Sequence, residues 1–289
     1  ITHIYRDSHN RLWVATVNGV CLYQANGNFK RVSINSANKN IEKILEDKEG
    51  RIFFFTITDL YQYDEKNNKA ITRLSKMVEK NCYNFSCHID RKDVLWIVTS
   101  YSVKGYRTRD LKLIAPNPVQ SYPIASFLLD GHQLYISGYN GMQLFDTDTR
   151  KWQQLPAALQ GLQIPNDMVS GIHPYGEKGN LLLSTTKHGL LYFNAQEETI
   201  LPQSDKNFPF EVPDMQVNKM LTDSKGNLWL GSEDDGVKTI YRYKDMFNSM
   251  PALQRAIGKQ PVLSVATDRN HHLWISTKKN GLYMYDLQT

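Results

Sequence analysis

The sequence predicts an all-β fold, a seven-bladed β-propeller built from four-stranded antiparallel blades. Three observations predict it: a similar segment recurs seven times along the 289 residues, tryptophan occupies one column of this repeat in four copies, and each copy consists of short apolar segments separated by turn residues. Repeats of about 40 to 50 residues with several short strands are typical of propeller blades. Each sheet would bury its two apolar faces against the neighbouring sheets. The tryptophan column contains Trp13, Phe53, Trp96, Tyr135, Leu183, Trp229 and Trp274.

Within each repeat the residue pattern predicts the strands in the same order. An apolar or alternating segment such as 262–266 forms the first strand. An aspartate and polar residues then form a tight turn, in which the carboxylate accepts hydrogen bonds from backbone N–H groups. A Leu-Trp-Ile segment forms the second strand, an Asn-Gly or Asp-Gly pair supplies the hairpin turn, and a Gly-Leu-Tyr segment forms the third. Segments such as 28–34 supply the fourth strand.

The last repeat is incomplete, because the chain stops at Tyr285-Asp286-Leu287 in its third strand. We therefore expect a single propeller domain over residues 1–289 whose last blade lacks its outer strand within this segment. An uncovered sheet edge is a liability, so residues outside the segment, or a neighbouring domain, are expected to cover it. Helical signal is weak, and its best candidate, Asp245 to Ile257, is interrupted by Pro251.

Composition is that of a globular chain with 41% hydrophobic and 22% charged residues. The mean hydropathy of -0.48 and the lack of any apolar run near eighteen residues exclude a membrane span within the segment. The net charge of +5 is spread over the chain without a basic stripe, which argues against nucleic-acid binding. Cys82 and Cys87 are close enough in sequence to form a local disulfide, although buried free thiols are the favoured interpretation.

The unit Asp-x-x-Gly-Asn-Leu-Trp-Ile-Gly-Thr-x-x-Gly-Leu-x-x-Tyr closely resembles the two-component regulator propeller repeat. The segments from Asp223 to Ser232 and from Asp268 to Gly281 match it almost residue for residue, and the segment from Asp7 to Tyr23 nearly so. The resemblance recurs once per blade along the whole chain. The second copy departs from it with Phe53 in place of Trp, and the third with Ser102 in place of Gly.

This resemblance implies a propeller from the periplasmic sensor region of an inner-membrane hybrid two-component system in Gram-negative, polysaccharide-degrading gut bacteria. It further implies a second propeller, an immunoglobulin-like domain, a membrane helix and a histidine kinase core elsewhere in the full-length chain, which is expected to form a homodimer. The resemblance also implies oligosaccharide ligands. Since the repeat motifs are structural, they assign no binding residue, and we expect no cofactor, no metal and no nucleic-acid contact in this segment.

The repeat aspartates invite a catalytic interpretation, but their recurrence at the same turn favours a structural one. These residues are Asp7, Asp47, Asp90, Asp223 and Asp268. The chain contains no Gly-x-Ser-x-Gly, no His-Glu-x-x-His and no phosphate-binding glycine loop. We therefore expect no catalytic residue and no enzyme activity in this segment.

The turns between second and third strands, and the connections entering each blade, are predicted to lie on one face of the propeller. Aromatic rings on this face would stack on sugars, and amides, carboxylates and lysines would hydrogen-bond hydroxyl groups. The predicted ligand-binding residues are Tyr101, Tyr139, Asn140, Lys187, His188, Glu233, Asp235, Lys278 and Asn280. The entry connections add Tyr83, Tyr122, Asn166, Asp167 and Gln216.

The sequence thus favours a periplasmic ligand-sensing propeller that responds to oligosaccharides from polysaccharide breakdown and regulates their utilisation genes. Two alternatives stay open. Propeller glycoside hydrolases and lyases assemble carboxylates or histidines from different blades, which linear sequence hides. A dimerisation scaffold without a ligand is the other, and fold-level analogy does not decide between them.

Overall fold

The computed structural model consists of two compact units, Ile1–Ile240 and Tyr241–Thr289, and each is described by itself. The structure describes residues 1–78, 82, 85–119, 123–138, 141–160, 162, 167–212, 215–232, 235–241, 256–257, 261–268, 272–279 and 281–286.

Unit 1 contains six β-sheets among these residues. Sheet 1 is formed by β1 (His3–Arg6), β2 (Leu12–Thr16), β3 (Gly19–Tyr23) and β4 (Phe29–Arg31). Sheet 2 is formed by β5 (Ser33–Ile34), β6 (Lys43–Glu46), β7 (Ile52–Phe55), β8 (Asp59–Asp64) and β9 (Lys69–Ser75). Sheet 3 is formed by β10 (Phe85–Ile89), β11 (Val94–Thr99), β12 (Ser102–Arg107) and β13 (Leu113–Pro118).

The remaining sheets follow in chain order. Sheet 4 is formed by β14 (Pro123–Leu129), β15 (Gln133–Gly138), β16 (Gly141–Asp146) and β17 (Lys151–Gln153), and a short helix α1 (Ala157–Gln160) follows it. Sheet 5 is formed by β18 (Val169–Pro174), β19 (Leu181–Thr185), β20 (Leu190–Asn194) and β21 (Thr199–Pro202). Sheet 6 is formed by β22 (Lys219–Thr222), β23 (Leu228–Gly231) and β24 (Val237–Ile240). Unit 2 contains sheet 7, formed by β25 (Val262–Thr267), β26 (His272–Thr277) and β27 (Gly281–Asp286).

Sheets 1, 3, 4, 5, 6 and 7 are antiparallel meanders, whose strands pair in the order in which they occur along the chain. In unit 1, the first strands of consecutive sheets, from β1 through β6, β10, β14 and β18 to β22, contact one another and form its inner edge. This arrangement confirms the predicted all-β propeller architecture. Sheet 7 has three described strands, as expected for the incomplete last repeat. A single seven-bladed domain over residues 1–289 stays a prediction.

The turn between first and second strands has the same construction in several sheets. Asp7 Oδ1 accepts hydrogen bonds from the backbone N–H groups of His9 at 3.0 Å and Arg11 at 2.8 Å, while Oδ2 accepts one from the indole N–H of Trp13 at 2.8 Å. The fourth residue of the turn has a positive φ, which is 62° at Asn10. The repeat aspartates therefore cap turns, as the sequence predicted.

The tryptophan column fills the spaces between sheets in the first half of unit 1. Trp13 is fully buried in a cluster with Ile44 and Phe54 of sheet 2, and Trp96 is fully buried among sheets 3 and 4. Trp229 departs from this pattern, since 40% of it is exposed. It lies in the last sheet of unit 1, whose buried residues Leu228 and Leu230 face sheet 5, and no sheet of this unit in the described residues lies on the opposite face.

The segment 28–34, predicted as one outer strand, divides between two sheets. Its first part, β4, completes sheet 1, whereas β5 pairs in parallel with β9 and gives sheet 2 a fifth strand. The chain passes from sheet 1 to sheet 2 at Val32, which is 2% exposed. Because β9 would otherwise present an open edge, β5 covers part of it. The segment predicted as a loop helix, 245–257, falls outside the described residues except for its last two, whereas the observed helix α1 was not predicted.

Candidate ligand-binding face

The hairpin turns between second and third strands are joined to the connections that enter the sheets. In unit 1 the backbone N–H of Ile41, which enters sheet 2, donates to the carbonyl of Thr16 in sheet 1 at 3.1 Å. The N–H of Met77 donates to Thr58 at 2.9 Å in the same manner, and that of Val119 to Tyr101 at 3.4 Å. Turns and entry connections therefore lie on a common side of unit 1, which we call the turn face.

The strongest polar cluster on the turn face is centred on Asp167, whose side chain is fully buried. Its Oδ1 accepts hydrogen bonds from the N–H groups of Met168 at 2.7 Å and Thr186 at 2.8 Å, and from the Thr186 hydroxyl. Its Oδ2 accepts from the N–H groups of Lys187 and His188, both at 3.0 Å, and from His188 Nδ1 at 2.6 Å. One carboxylate thus fixes the whole turn 186–188 of sheet 5 to the connection that enters the same sheet.

The ionised state of Asp167 follows from these contacts. Burial of the carboxylate raises its pKa, but hydrogen bonds from the Thr186 and His188 side chains and from the Met168 backbone outweigh that effect and hold the pKa well below its ordinary value. Since a carboxylate accepts only, Nδ1 of His188 carries the proton, and its Nε2 is left for other partners. More than half of the His188 side chain, 56%, is exposed.

The next sheet holds the same turn from its other side. Gln216, in the connection that enters sheet 6, donates from Nε2 to the carbonyl of Thr186 at 2.7 Å. The turn ends at Gly189, which has a φ of 73°. A Cβ at this position would lie 2.3 Å from Oε1 of Gln203, which accepts a hydrogen bond from Leu190 N–H. Only glycine therefore fits at the end of this turn.

The nine predicted ligand residues are only partly brought together. Lys187 and His188 lie on one exposed turn, which is hydrogen-bonded to the predicted entry residues Asp167 and Gln216. Tyr101, 43% exposed, is on the turn of sheet 3, and Asp235 is on that of sheet 6, where Ser232 Oγ accepts from its N–H at 3.2 Å. Lys278 is in unit 2, where its N–H donates to Pro261. The other predicted residues lie outside the described residues: Tyr139, Asn140, Glu233 and Asn280, together with the entry residues Tyr83, Tyr122 and Asn166.

Two residues of this site were missed by the sequence reasoning. Thr186 supplies both an N–H and a hydroxyl to Asp167, and Gln203 supports the chain beyond Gly189. The only available signal was the polar run Thr185 to His188 between two apolar strands. It marks a turn, but it does not show which side chains point inward.

Two open clefts accompany the sheets of unit 1. One, with a volume of about 380 Å³, lies between the turn of sheet 1 and the chain entering sheet 2, and includes the cations Arg31 and Lys39. The other, of about 180 Å³, lies beside the outer strand of sheet 4 and is lined by Trp152 and glutamines. Trp152 packs edge-on against Phe145, with ring centroids 5.2 Å apart. Both clefts combine polar groups with apolar surface.

The cysteines and the possible metal ligands among the described residues form neither a disulfide nor a metal-binding group. None of Cys21, Cys82 and Cys87 forms a disulfide, so Cys82 and Cys87 are not bridged. No group of three or more histidine, cysteine, aspartate or glutamate side chains within the described part of the chain is arranged to hold a metal ion. In the same residues no helix has the length and apolar character needed to span a membrane.

Comparison with known families and sequences supports the resemblance seen in the repeats. Residues 211–234 match the family model described as two component regulator propeller. A curated relative, Histidine kinase P4 of Formosa agariphila, is 26% identical over 91 residues, which cover 30% of this chain and 7% of that protein. The chain thus corresponds to a small part of the relative's length. These findings confirm the resemblance to the two-component regulator propeller repeat.

Solved structures with the same architecture include extracellular domains of one- and two-component systems and an enzyme. The extracellular domain of BT4673 from B. thetaiotaomicron, described as a one component system, has a TM-score of 0.62 at 17% identity and covers 98% of this chain and 38% of its own. That of BT3049 from the same organism, described as a hybrid two component system, has a TM-score of 0.59 at 16% identity, with 97% and 39% covered. Virginiamycin B lyase from Staphylococcus aureus has a TM-score of 0.60 at 13% identity, with 81% and 78% covered. At these identities the likenesses establish the propeller fold alone.

Proposed function

We propose that this chain, which carries the two-component regulator propeller repeat, is a periplasmic ligand-sensing domain of a hybrid two-component system sensor kinase. In this proposal it responds to oligosaccharides released by polysaccharide breakdown and regulates the genes for their use. The family match at 211–234 and the likeness to extracellular domains of such systems support the assignment to a sensor. The partners would be a second propeller, an immunoglobulin-like domain and a kinase of the same chain, acting as a homodimer.

The observation that carries the ligand proposal is the turn 186–188, which is rigid at its base and exposed at its tip. Asp167 and Gln216 hold its backbone from two connections, so the turn is ordered before any ligand binds. Lys187 and His188 are both exposed, and His188 contacts Asp167 through Nδ1, so its Nε2 and the Lys187 ammonium group are available to sugar hydroxyl groups. A preorganised polar site loses less entropy on binding than a loose one, which favours weakly binding neutral ligands such as sugars.

The same turn provides a route from binding to signalling. It is bonded both to the connection that enters sheet 5 and to the one that enters sheet 6. A saccharide on His188 would therefore bind a turn that is joined to two blades, and it would stabilise one relative placement of them. A ligand shifts an equilibrium only by its difference in affinity for the two states, so the signalling-competent arrangement must bind the saccharide more tightly.

Calorimetric titration with a panel of neutral and acidic oligosaccharides tests the proposal. We expect at least one oligosaccharide to bind, and we expect His188→Ala to weaken its binding about fivefold or more, since one good hydrogen bond contributes roughly 1 kcal/mol or more. His9→Ala is the matched control, because His9 is an exposed histidine on an aspartate turn, away from the turn face. Cleavage of an oligosaccharide in a parallel assay, or equal affinity in both variants, would contradict the proposal.

A further inference from the structure

Three basic residues occupy equivalent positions on first strands at the inner edge of unit 1. His3 pairs with Ala15, Lys43 with Phe55 and Lys219 with Gly231, and each of these partners lies two residues after the tryptophan column of its sheet. We call residues that share this register position residues of one level. The other first strands of unit 1 place Ser86, Ala125 and Val169 at the same level. The level therefore contains three basic residues and no acidic one. We call His3, Lys43 and Lys219 the inner basic cluster.

The charges of the cluster act on one another. The positive charges of Lys43 and Lys219 both lower the pKa of His3, although burial is the largest cause of its fall to about 4. Burial likewise lowers the pKa of Lys43, and the charge of Lys219 adds to that effect. Together with the strand register, these interactions place the side chains of His3, Lys43 and Lys219, from sheets 1, 2 and 6, near one another. At neutral pH His3 is uncharged, and the lysines supply the positive charge.

The described residues supply no counter-charge for these lysines. Neither Lys43 nor Lys219 takes part in an ion pair or a side-chain hydrogen bond there, although Lys43 is partly buried. The thiol of Cys87 interacts electrostatically with Lys43, but burial raises its pKa to about 12, so it is neutral at pH 7. The neighbouring His88 is also neutral, since burial and the charge of Lys43 lower its pKa to about 3. An ammonium group that is partly desolvated without a partner is costly, and an anion offsets that cost.

His3 adds a hydrogen-bond donor to the two positive charges of Lys43 and Lys219. Its Nδ1 accepts a hydrogen bond from the backbone N–H of Ile44 at 3.2 Å. In the neutral ring Nδ1 is then the unprotonated nitrogen, and Nε2 carries the hydrogen. The cluster therefore offers one N–H and two ammonium groups, a donor set that suits the oxygen atoms of a carboxylate or a sulfate.

We propose that the inner basic cluster binds an anionic group, a carboxylate or a sulfate, and that the ligand of this propeller is an oligosaccharide bearing such a group. The saccharide part of this inference rests on the proposed function, whereas the anion site does not. An acidic oligosaccharide would bind with its charged group at the inner edge. A free inorganic anion offers the same chemistry, and the experiment separates the two sources.

The test uses sodium sulfate, a sulfated disaccharide, a hexuronate oligosaccharide and a neutral oligosaccharide at constant ionic strength, with calorimetry and thermal unfolding as readouts. We expect sulfate and the acidic saccharides to bind and to raise the unfolding temperature. Lys43→Met and Lys219→Met should each weaken this binding about tenfold or more, because hydrogen bonds to charged groups contribute about a decade of affinity or more. Lys151→Met, in the outer strand of sheet 4, is the control and should bind the anions as the wild type does.

The outcomes separate the two proposals. Anion binding that depends on Lys43 and Lys219, without binding of any saccharide, supports the site and contradicts the saccharide ligand. Saccharide binding that depends on His188 but is indifferent to charge and to both lysine variants overturns the inner site alone. Without added anion, Lys43→Met should unfold at a temperature equal to or above that of the wild type, because it removes an unpaired charge. A large fall in that temperature would show that Lys43 already has a structural partner, and would overturn the proposal.

Discussion

The indole N–H of Trp96 donates a hydrogen bond of 2.7 Å to Oδ2 of Asp90, and both side chains are buried. The aspartate precedes the tryptophan by six residues, and it spans the turn between the first two strands of the sheet. The same bond joins Asp7 to Trp13, Asp223 to Trp229 and Asp268 to Trp274. One carboxylate thus accepts hydrogen bonds from the backbone of the turn and from the indole N–H, which is the only polar group of the tryptophan side chain. This explains why the two residue types recur together in the sequence.

Replacing Asp90 should therefore cost more stability than replacing Asp223. Asp90→Ala leaves the indole of Trp96 and the N–H of Val94 without an acceptor in a buried site, so we expect a loss of about 2–4 kcal/mol in the free energy of unfolding. Asp223→Ala removes a comparable set of hydrogen bonds, but Trp229 is 40% exposed and water replaces the carboxylate, so the loss should be clearly smaller than for Asp90→Ala. Urea denaturation followed by tryptophan fluorescence measures both. Equal losses would contradict the role assigned to burial.

Gly105 gives a second comparison, since it faces the ring of Trp96 across the strand pair. A Cβ at Gly105 would lie 2.9 Å from the indole ring, closer than a carbon contact allows. We expect Gly105→Ala to destabilise the protein by about 1–3 kcal/mol, because a fully buried ring has no room to move. Gly231→Ala is the control, since its Cβ would meet nothing nearer than 3.8 Å. The difference between their urea midpoints is the measurement, and a Gly105→Ala variant as stable as Gly231→Ala would show that the ring can shift.

Sequence periodicity was sufficient to predict the sheets, because each repeat encodes its own strands and turns locally. The aspartate turns and the tryptophan column could be located to the residue for the same reason. The parallel pairing of β5 with β9 could not, because it depends on an open edge in the following sheet rather than on the pattern of residues 33–34. The exposure of Trp229 has a similar origin, since it depends on what covers its sheet.

In the candidate sites, too, the sequence predicts residues from their local turns but does not predict contacts between residues far apart in the chain. Lys187 and His188 were predicted from their turn, and Asp167 from an entry connection, but the bond between Asp167 and His188 joins residues 21 apart. The inner basic cluster was missed altogether, because it requires counting back from the tryptophan column across the first two strands. Once the register is known, the column containing His3, Lys43 and Lys219 is evident in the sequence.

Cysteine reactivity should follow burial. Cys87 is 1% exposed and its thiol has a pKa raised by burial to about 12, so it lacks the thiolate that alkylating reagents attack. We expect iodoacetamide at pH 8 to leave Cys87 unmodified in the folded protein and to label it after denaturation. Cys21, which is partly exposed, serves as the internal comparison and should label first. Peptide mapping by mass spectrometry provides the readout, and early labelling of Cys87 would show that sheets 2 and 3 separate readily.

Finally, stability should depend on pH in the range where the buried histidines titrate. His88 has a pKa lowered from 6.5 to about 3 by burial and by the charge of Lys43, and its Nε2 lies 2.9 Å from the Ser126 hydroxyl. Between these two values the unfolded chain binds a proton that the folded protein does not, so the free energy of unfolding must fall as the pH is lowered. The slope is at most about 1.4 kcal/mol per pH unit for one histidine. His3, with a pKa of about 4, acts in the same direction.

Replacement of His88 separates its contribution from that of other groups. Asp148 and Asp223 have pKa values lowered to about 2, the first mainly by Arg91 and the second mainly by the indole of Trp229, so their stabilisation is lost only as the pH falls below about 4. The interval from pH 6.5 to 4.5 therefore reports on histidines. Over it, urea midpoints of His88→Gln should fall less steeply than those of the wild type, whereas the exposed control His9→Gln should keep the wild-type slope. If His88→Gln also keeps that slope, the folded protein accommodates a charged His88, and the inner edge beside Lys43 is wetter than the structure indicates.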